Sequence, residues 1–374
     1  MGSIGKKVIF FLIIVIAGVA GIVFAKGKFT KSPVSISIPK KLKASPIRFG
    51  GTLDYSAGQT KEAIDAQLKL LAQLGIRTVR TKYLDCGFTN WFMNDYLLEA
   101  AKRNNIEVVF ILEPQIDFKK SVKKSNLPTA AVDCGSVTIG KQKGSTPVDL
   151  DEFGYEYTKA VVGKYSSQVK YWQLINEIGG TAMTGNADGR LAEQYDKTIY
   201  KRLAAFLKGS SRAVAEVDPT AKRIINNQWL HVGMLDLLVQ DKIAFDIIGW
   251  NWFADDIDMG RVEYAPGQIF NLYEELEKRK VTTGAKEIWL SEFNKDHGSF
   301  EEKEREQADY LGRKLPELID KKIFSGIFIH ELFDKPAEKL ERDRHWGIIE
   351  VQPEPNLKLT PKPAAQVISE IIKE

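Results

Sequence analysis

Two apolar stretches of this 374-residue chain end on an acid. Tyr171-Trp172-Gln173-Leu174-Ile175-Asn176-Glu177 closes on an Asn-Glu pair, and Glu287-Ile288-Trp289-Leu290-Ser291-Glu292 closes on a second glutamate. Strands that each deliver a carboxylate at the C-terminal end would bring two acids to one rim of a sheet or barrel. Half-burying a carboxylate there is costly unless it is paired or used. Two acids flanking a glycosidic bond suffice to hydrolyse it. One protonates the leaving oxygen, while the other attacks the anomeric carbon or activates water. Other acids invite plainer roles. Glu113 precedes Pro114 and a lysine-rich loop, Asp246 and Glu287 begin strands, and Glu331 is expected either to act at the site or to pair with Arg342 or Arg344. The aromatic supply suits sugars, whose C–H faces stack on rings. Trp91, Trp229, Trp250, Trp252, Phe253 and Trp346 fall at or after strand ends, with Asn176, Asn227, Gln228 and Asn251 ready for hydroxyls, while mid-strand Trp172 and Trp289 read as core.

The elements that must hold these residues alternate eight times. Strands are expected at Ile47–Leu53, Ile76–Lys82, Ile106–Glu113, Val169–Glu177, Arg223–Trp229, Phe245–Phe253, Glu287–Asn294 and Phe324–Glu331. Helical patterns lie between them at Lys61–Leu74, Trp91–Arg103, Phe153–Tyr165, Leu191–Val217, Gln268–Arg279 and Glu301–Leu318, with a last one at Ala364–Ile372. Strands alternating with amphipathic helices imply a parallel sheet with right-handed crossovers. Nearly continuous apolar runs such as Val108–Leu112 fit strands covered on both faces. Eight units predict an α/β fold of the closed (β/α)₈ TIM-barrel type over residues 47–374. Gly50-Gly51 after the first strand lacks the spacing of a phosphate-binding turn, which disfavours a doubly wound sheet.

Composition bounds the partners. The net charge of +4 comes from 53 basic and 49 acidic residues, too balanced for a nucleic-acid surface. Lys6-Lys7 precede Val8 to Ala25, an uncharged run long enough to span a bilayer and longer than most signal-peptide cores. Residues 1–25 therefore read as a hydrophobic helix that anchors the chain in a membrane, or as a signal segment if cleavage follows Ala25. The catalytic domain would then be extracytoplasmic or secreted. Residues 26–46, rich in Lys, Ser and Pro, read as a linker. The two cysteines, Cys86 and Cys134, match no zinc or redox spacing; a disulfide is expected if the domain lies outside the cell and two buried thiols if it lies inside. Cys134 lies in a basic insertion, residues 115–150, expected on the catalytic face after the third strand.

The placement of the two glutamates resembles the clan A retaining glycoside hydrolases, (β/α)₈ barrels with an acid/base Glu after Asn on the fourth strand and a nucleophile Glu on the seventh. Asn176-Glu177 and Ser291-Glu292-Phe293 fall on those strands. Leu74-Gly75 with Val79-Arg80, Asp246-x-Ile248-Gly249-x-Asn251, Asp218-Pro219, and Trp346-Gly347-Ile348-Ile349 before Pro361 are similar to the family's second, sixth, pre-fifth and closing segments. The resemblance implies Glu177 as acid/base and Glu292 as nucleophile, with carboxyl groups about 5–5.5 Å apart. It also implies Asn176 on the sugar 2-hydroxyl and Arg80 keeping Glu292 ionised. Trp250, Asn251, Trp252, His330, Glu331 and Trp346 complete the expected substrate contacts. Three departures leave the substrate open, the first being that the third strand has no His. Trp252 and Phe253 stand near a usual Tyr or His, and His330 stands where a Trp is common. The expected partner is a carbohydrate, with no metal or organic cofactor implied and a monomer expected. Two other readings are a metal-dependent barrel isomerase or lyase using Glu113, Glu177, Glu292 and His330, and a non-catalytic glycan-binding barrel at the cell surface.

Overall fold

The computed structural model describes residues 47–54, 60–85, 92–121, 149–255, 257–353 and 357–373. The expected anchor and linker (residues 1–46), Trp91, Cys86, Cys134 and most of the basic insertion lie outside them. Among the described residues no helix is long and apolar enough to cross a membrane. The strands are β1 (Arg48–Thr52), β2 (Thr78–Lys82), β3 (Glu107–Leu112), β4 (Tyr171–Leu174), β5 (Lys222–Gln228), β6 (Ile247–Trp252), β7 (Val262–Ala265), β8 (Gln268–Phe270), β9 (Glu287–Phe293), β10 (Gly326–Ile329), β11 (Ile349–Gln352) and β12 (Lys358–Pro361). The helices are α1 (Lys61–Leu74), α2 (Met93–Arg103), α3 (Leu150–Tyr165), α4 (Ile178–Ala182), α5 (Lys197–Val217), α6 (Gly233–Gln240), α7 (Leu272–Thr283), α8 (Glu304–Lys321) and α9 (Pro363–Lys373).

Eight strands close a parallel barrel in the order β1-β10-β9-β6-β5-β4-β3-β2, so all eight expected strands take part. The β7–β8 and β11–β12 pairs are separate antiparallel hairpins. Local chemistry explains the helix ends. Thr60 caps α1 by accepting from the Ala63 N–H at 3.1 Å, and Gly75 ends it in the left-handed region with φ 87°. Asp149 caps α3 in the same way through the N–H groups of Asp151 and Glu152. The helical pattern expected from Gln268 begins later. Gln268–Phe270 is a strand returning from a turn at Gly267 (φ 72°), and Asn271 caps the helix that follows. The pattern expected from Leu191 likewise starts its α-helix only after Asp196, which caps α5. Helix α6 was not foreseen because eight residues between two apolar strands carry too little periodicity.

Two apolar layers form. The larger lies between strands and helices. The smaller fills the lower barrel lumen with Val109, Ile224, Ile247, Trp289 and Phe328, against which Tyr171 packs. Trp289 stacks on Phe328 (centroids 5.2 Å apart), and Arg48 lies 4.5 Å from the Tyr171 ring centre while pairing with Glu107. Gly50 is required here. A Cβ on it would stand 2.8 Å from the Phe328 ring and 2.6 Å from the Thr78 carbonyl, so Gly50 makes room for the plug.

Candidate active site

One layer above this plug, the same strands turn polar toward the lumen. Arg80 on β2 is 1% exposed and is held by four acceptors. Its Nε donates to Gln173 Oε1 (2.7 Å), Nη1 to Glu292 Oε1 (2.6 Å) and to Thr52 Oγ1 (3.4 Å), and Nη2 to Asn176 Oδ1 (2.6 Å). Charge-assisted bonds of this length are the strong ones, and the planar fork fixes the directions of its partners.

Strand alternation alone would not bring both glutamates into the lumen. With Trp289 and Ser291 facing in, Glu292 would point out to the helices. Both neighbours of β9 instead record one extra residue on it. Trp250 aligns with Leu290 but Asn251 with Glu292, and Ile327 aligns with Leu290 but Ile329 with Phe293. This bulge turns Glu292 inward and sends Phe293 outward onto Tyr310 of α8 (5.6 Å between centroids). Gly249 makes the bulge possible, since a Cβ there would meet Ser291 Oγ at 2.5 Å. The end of β4 uses strain to the same effect. Ile175 has φ 64° and Glu177 φ 48°, and a β-branched residue in the left-handed region costs of order 1–3 kcal/mol. The two reversals bring Asn176 and Glu177 together on the lumen side.

Glu177 and Glu292 share one amide. Asn251 Nδ2 donates to Glu177 Oε1 at 2.8 Å, and Asn251 also hydrogen-bonds Glu292. Asn226 orients Asn251 by donating to its Oδ1 (2.8 Å), and accepts from the backbone N–H of Glu177 (2.9 Å). Gln228 reaches both oxygens of Glu177 at 2.9 and 3.1 Å, so its amide nitrogen is the atom that faces the carboxylate. The electrostatics separate the two acids. Burial and the neighbouring Glu292 charge push Glu177 up to about 7, against the Asn251 bond and Arg80. Burial also acts on Glu292, but Arg80 and the other donors outweigh it and hold this carboxyl below its ordinary value.

The rim continues with His330, whose Nδ1 lies 3.3 Å from Glu292 Oε2. Its ring sits edge-on to Phe253 (5.1 Å) and Trp346 (5.3 Å). Glu331 is buried, and its partner is Lys335 at 2.9 Å rather than the expected Arg342 or Arg344. On the Glu177 side an open cleft of about 1000 Å³ runs past Asn176, Gln228, Glu113, Phe118 and Lys82. Glu113 pairs with Lys82 (2.7 Å). Asp246, at the opposite end of the barrel, pairs with Arg223 (2.8 Å). Among the described residues no group of three or more His, Cys, Asp or Glu side chains is arranged to hold a metal.

The structure therefore gathers Arg80, Asn176, Glu177, Asn251, Glu292, His330, Glu331 and Trp346. It places Trp250 and Trp252 elsewhere. Both are buried between strand and helices, Trp250 donating its indole N–H to the Trp229 carbonyl (2.9 Å) and Trp252 stacking on Trp229 (5.0 Å). Consecutive residues of a strand cannot all face one side, and Asn251 holds the lumen side. Asn227 also turns away, its amide engaged by the Gly179 N–H and the His231 carbonyl. Gln173, Asn226 and Lys335 belong to the site although sequence reasoning did not single them out. A lone polar residue inside an otherwise apolar strand was the available signal for Gln173.

No protein-family model matches the sequence, and no curated protein matches it. Solved structures do. A family 39 glycoside hydrolase from the gut symbiont Bacteroides cellulosilyticus WH2 superposes with a TM-score of 0.61 at 12% identity, over 87% of this chain and 63% of that protein. This chain thus spans less than two thirds of that enzyme's length. The family 1 β-glucosidase from Thermotoga maritima gives a TM-score of 0.56 at 13% identity over 88% of this chain and 97% of its own. The same enzyme in complex with galacto-hydroximolactam gives 0.55 at 13% over 84% and 86%. The fold is that of the barrels the sequence resembles, with Glu292 on the seventh barrel strand and Glu177 three residues past the end of the fourth.

Proposed function

We propose that this chain is a retaining glycoside hydrolase acting on a carbohydrate by double displacement. The observation that carries the reading is the opposed state of two carboxylates gathered around one Asn251 amide. Arg80 leaves Glu292 ionised and fit to attack. Burial leaves Glu177 protonated below about pH 7 and fit to donate.

In the first step a Glu292 oxygen bonds to the anomeric carbon as the bond to the leaving oxygen breaks, and that oxygen takes the proton of Glu177. In the second step Glu177, now a carboxylate, removes a proton from water. The water oxygen bonds to the anomeric carbon, and Glu292 leaves as a carboxylate. Arg80 and Gln173 both donate to Asn176 Oδ1 (2.6 and 3.0 Å), which leaves its Nδ2 as a donor for a sugar hydroxyl beside the anomeric centre. The cleft next to Glu177 receives the leaving group. A membrane anchor at residues 8–25 with the barrel outside the cell, or secretion after cleavage at Ala25, belongs to the same proposal, as does a Cys86–Cys134 disulfide.

Glu292→Gly tests the assignment. Turnover of an activated aryl glycoside falls by about four orders of magnitude, and azide, entering the vacated space, restores part of it with inverted product. Unaltered turnover in that variant would sink the nucleophile assignment.

A further inference from the structure

Neither proposed step uses Lys362, yet this lysine is buried at 3% exposure. It stands between Pro361 and Pro363, where β12 passes into α9, and the two prolines stiffen the backbone that presents it. An ammonium has three hydrogens, and this one uses all of them. Nζ donates to Asp334 Oδ1 (2.7 Å), to Ser299 Oγ (2.8 Å) and to the Gly347 carbonyl (2.9 Å). The partners come from two loops of the catalytic face, Ser299 from the one after β9 and Asp334 and Gly347 from the one after β10. Asp334 Oδ1 also accepts from the Gly347 N–H (3.0 Å), so the ion pair grips both backbone groups of one glycine.

The residue before that glycine is Trp346. Its half-buried ring stands at the rim against His330 (5.3 Å), Phe253 (5.2 Å) and His297 (5.5 Å). Residues 345–348 belong to no helix or strand, and their four carbonyls are captured from outside the segment. That of His345 accepts from the Ser299 N–H (2.9 Å) and Oγ (3.3 Å), and that of Trp346 from Asn294 Nδ2 (2.7 Å) and Gln307 Nε2 (3.3 Å). That of Gly347 accepts from Lys362 Nζ, and that of Ile348 from the Lys362 N–H (3.0 Å). Lys362 therefore holds two of the four itself and reaches a third through the Ser299 hydroxyl. The fit is close. A Cβ on Gly298 would stand 2.3 Å from the His345 carbonyl, and one on Gly347 would stand 2.2 Å from the Asp334 nitrogen.

We infer that Lys362 is a positioning residue whose buried ammonium fixes the 345–348 segment and so sets the Trp346 ring as a wall for the sugar held at Glu292. The sugar contact rests on the glycosidase reading; the placing of the ring does not. Buried backbone carbonyls outside helices and strands need donors from elsewhere, and a charged donor holds them more firmly than a neutral one. Stability alone is a weak reason for this charge, since apolar residues of similar volume often replace a buried ion pair without loss. What the ammonium adds is direction. One point ties two loops together at the residue next to the ring.

Fluorine-19 spectra of the substrate-free full chain labelled with 5-fluorotryptophan test this. The chain has seven tryptophans, and Trp346→Phe and Trp289→Phe samples assign the two signals that matter. Lys362→Met keeps most of the side chain and removes its charge. Lys362→Met combined with Asp334→Asn also removes the carboxylate left unpaired, keeps an acceptor for the Gly347 N–H, and serves where the single variant leaves too little folded protein. In either variant the Trp346 signal shifts or splits, while the Trp289 signal from the plug stays in place. In turnover KM rises roughly 10-fold with kcat within about twofold, as the loss of a contact made equally in ground and transition states requires. In a Trp346→Ala background the same substitutions change KM no further. A Trp346 signal that stays in place overturns the inference, as does one that moves only together with Trp289, or a KM effect that persists in Trp346→Ala. The spectra need no substrate, so a chain that hydrolyses no glycoside still decides whether Lys362 sets the ring.

Discussion

The lower and upper halves of the barrel lumen are built by the same strands two to four residues apart, and they have opposite chemistry. Tyr171 below becomes Gln173 above, Ile224 becomes Asn226, Ile247 becomes Asn251 by way of Gly249, and Trp289 becomes Glu292 by way of Ser291. Below, rings and aliphatic side chains stack in a dry plug. Above, buried polar groups hydrogen-bond in a network that reaches two carboxyl groups, with burial pushing Glu177 up and Arg80 holding Glu292 down. The plug excludes water from beneath the site and keeps the Arg80–Glu292 attraction in a low-dielectric surrounding, where it is strong. The difference shows a division of labour along each strand, with the first half stabilising and the second half holding the groups that react.

The largest expected break in this comparison comes from Glu177→Gln in the upper half. It removes the proton donor while keeping the Asn251 and Gln228 contacts within reach. The kcat for substrates with poor leaving groups falls about 10²- to 10⁴-fold, while substrates whose leaving group needs no protonation are little affected in the first step. The alkaline limb expected of the wild type near pH 7 disappears from their first-step rate. The sign follows from the raised value. The folded state binds this proton more tightly than the unfolded chain does, so wild-type stability declines as pH rises from about 4.5 through about 7, and the variant escapes that part of the decline. A variant that retained the limb would shift the donor role to another group.

Trp289→Ala in the lower half should do the reverse. Losing a fully buried indole between Tyr171 and Phe328 costs about 3–5 kcal/mol, read from denaturant midpoints, while the pH profile of the surviving folded protein keeps its shape. A displaced profile with unchanged stability would show that the two halves are not separable. Trp250→Phe sharpens the contrast at the smallest scale. It removes one hydrogen bond to Trp229, worth about 1 kcal/mol, and leaves KM unchanged because this ring faces the helices rather than the lumen. A raised KM would restore Trp250 as a substrate contact.

Much of this was legible before any coordinates. The alternation of apolar runs with amphipathic stretches placed all eight barrel strands, since covering both faces of a parallel sheet demands that pattern. Glu177 and Glu292 were recognisable because an acid at the end of an apolar strand is costly unless used. Other features were hidden for identifiable reasons. Trp250 and Trp252 looked like sugar platforms because composition marks a residue as aromatic without saying which side of the strand it takes. Gln268–Phe270 read as the start of a helix because three residues of strand carry no period of their own. Lys335 drew no notice because a lysine four residues past a glutamate is commonplace, and only the buried Glu331 beside it gives it meaning.

What local sequence settles here is the sequence of units and the kind of residue each strand carries to its end, because period and polarity are properties of neighbouring residues. Which way those residues face is decided elsewhere. Strict alternation would have turned Glu292 toward the helices. The bulge that turns it inward exists because β6 and β10 hold β9 in register on either side, with Gly249 leaving room for Ser291. The left-handed residues at Ile175 and Glu177 persist because Arg80, Asn226 and Asn251, from three other strands, hold the groups that this strained backbone presents. Strain and register are collective properties of a closed sheet, and no single segment contains them.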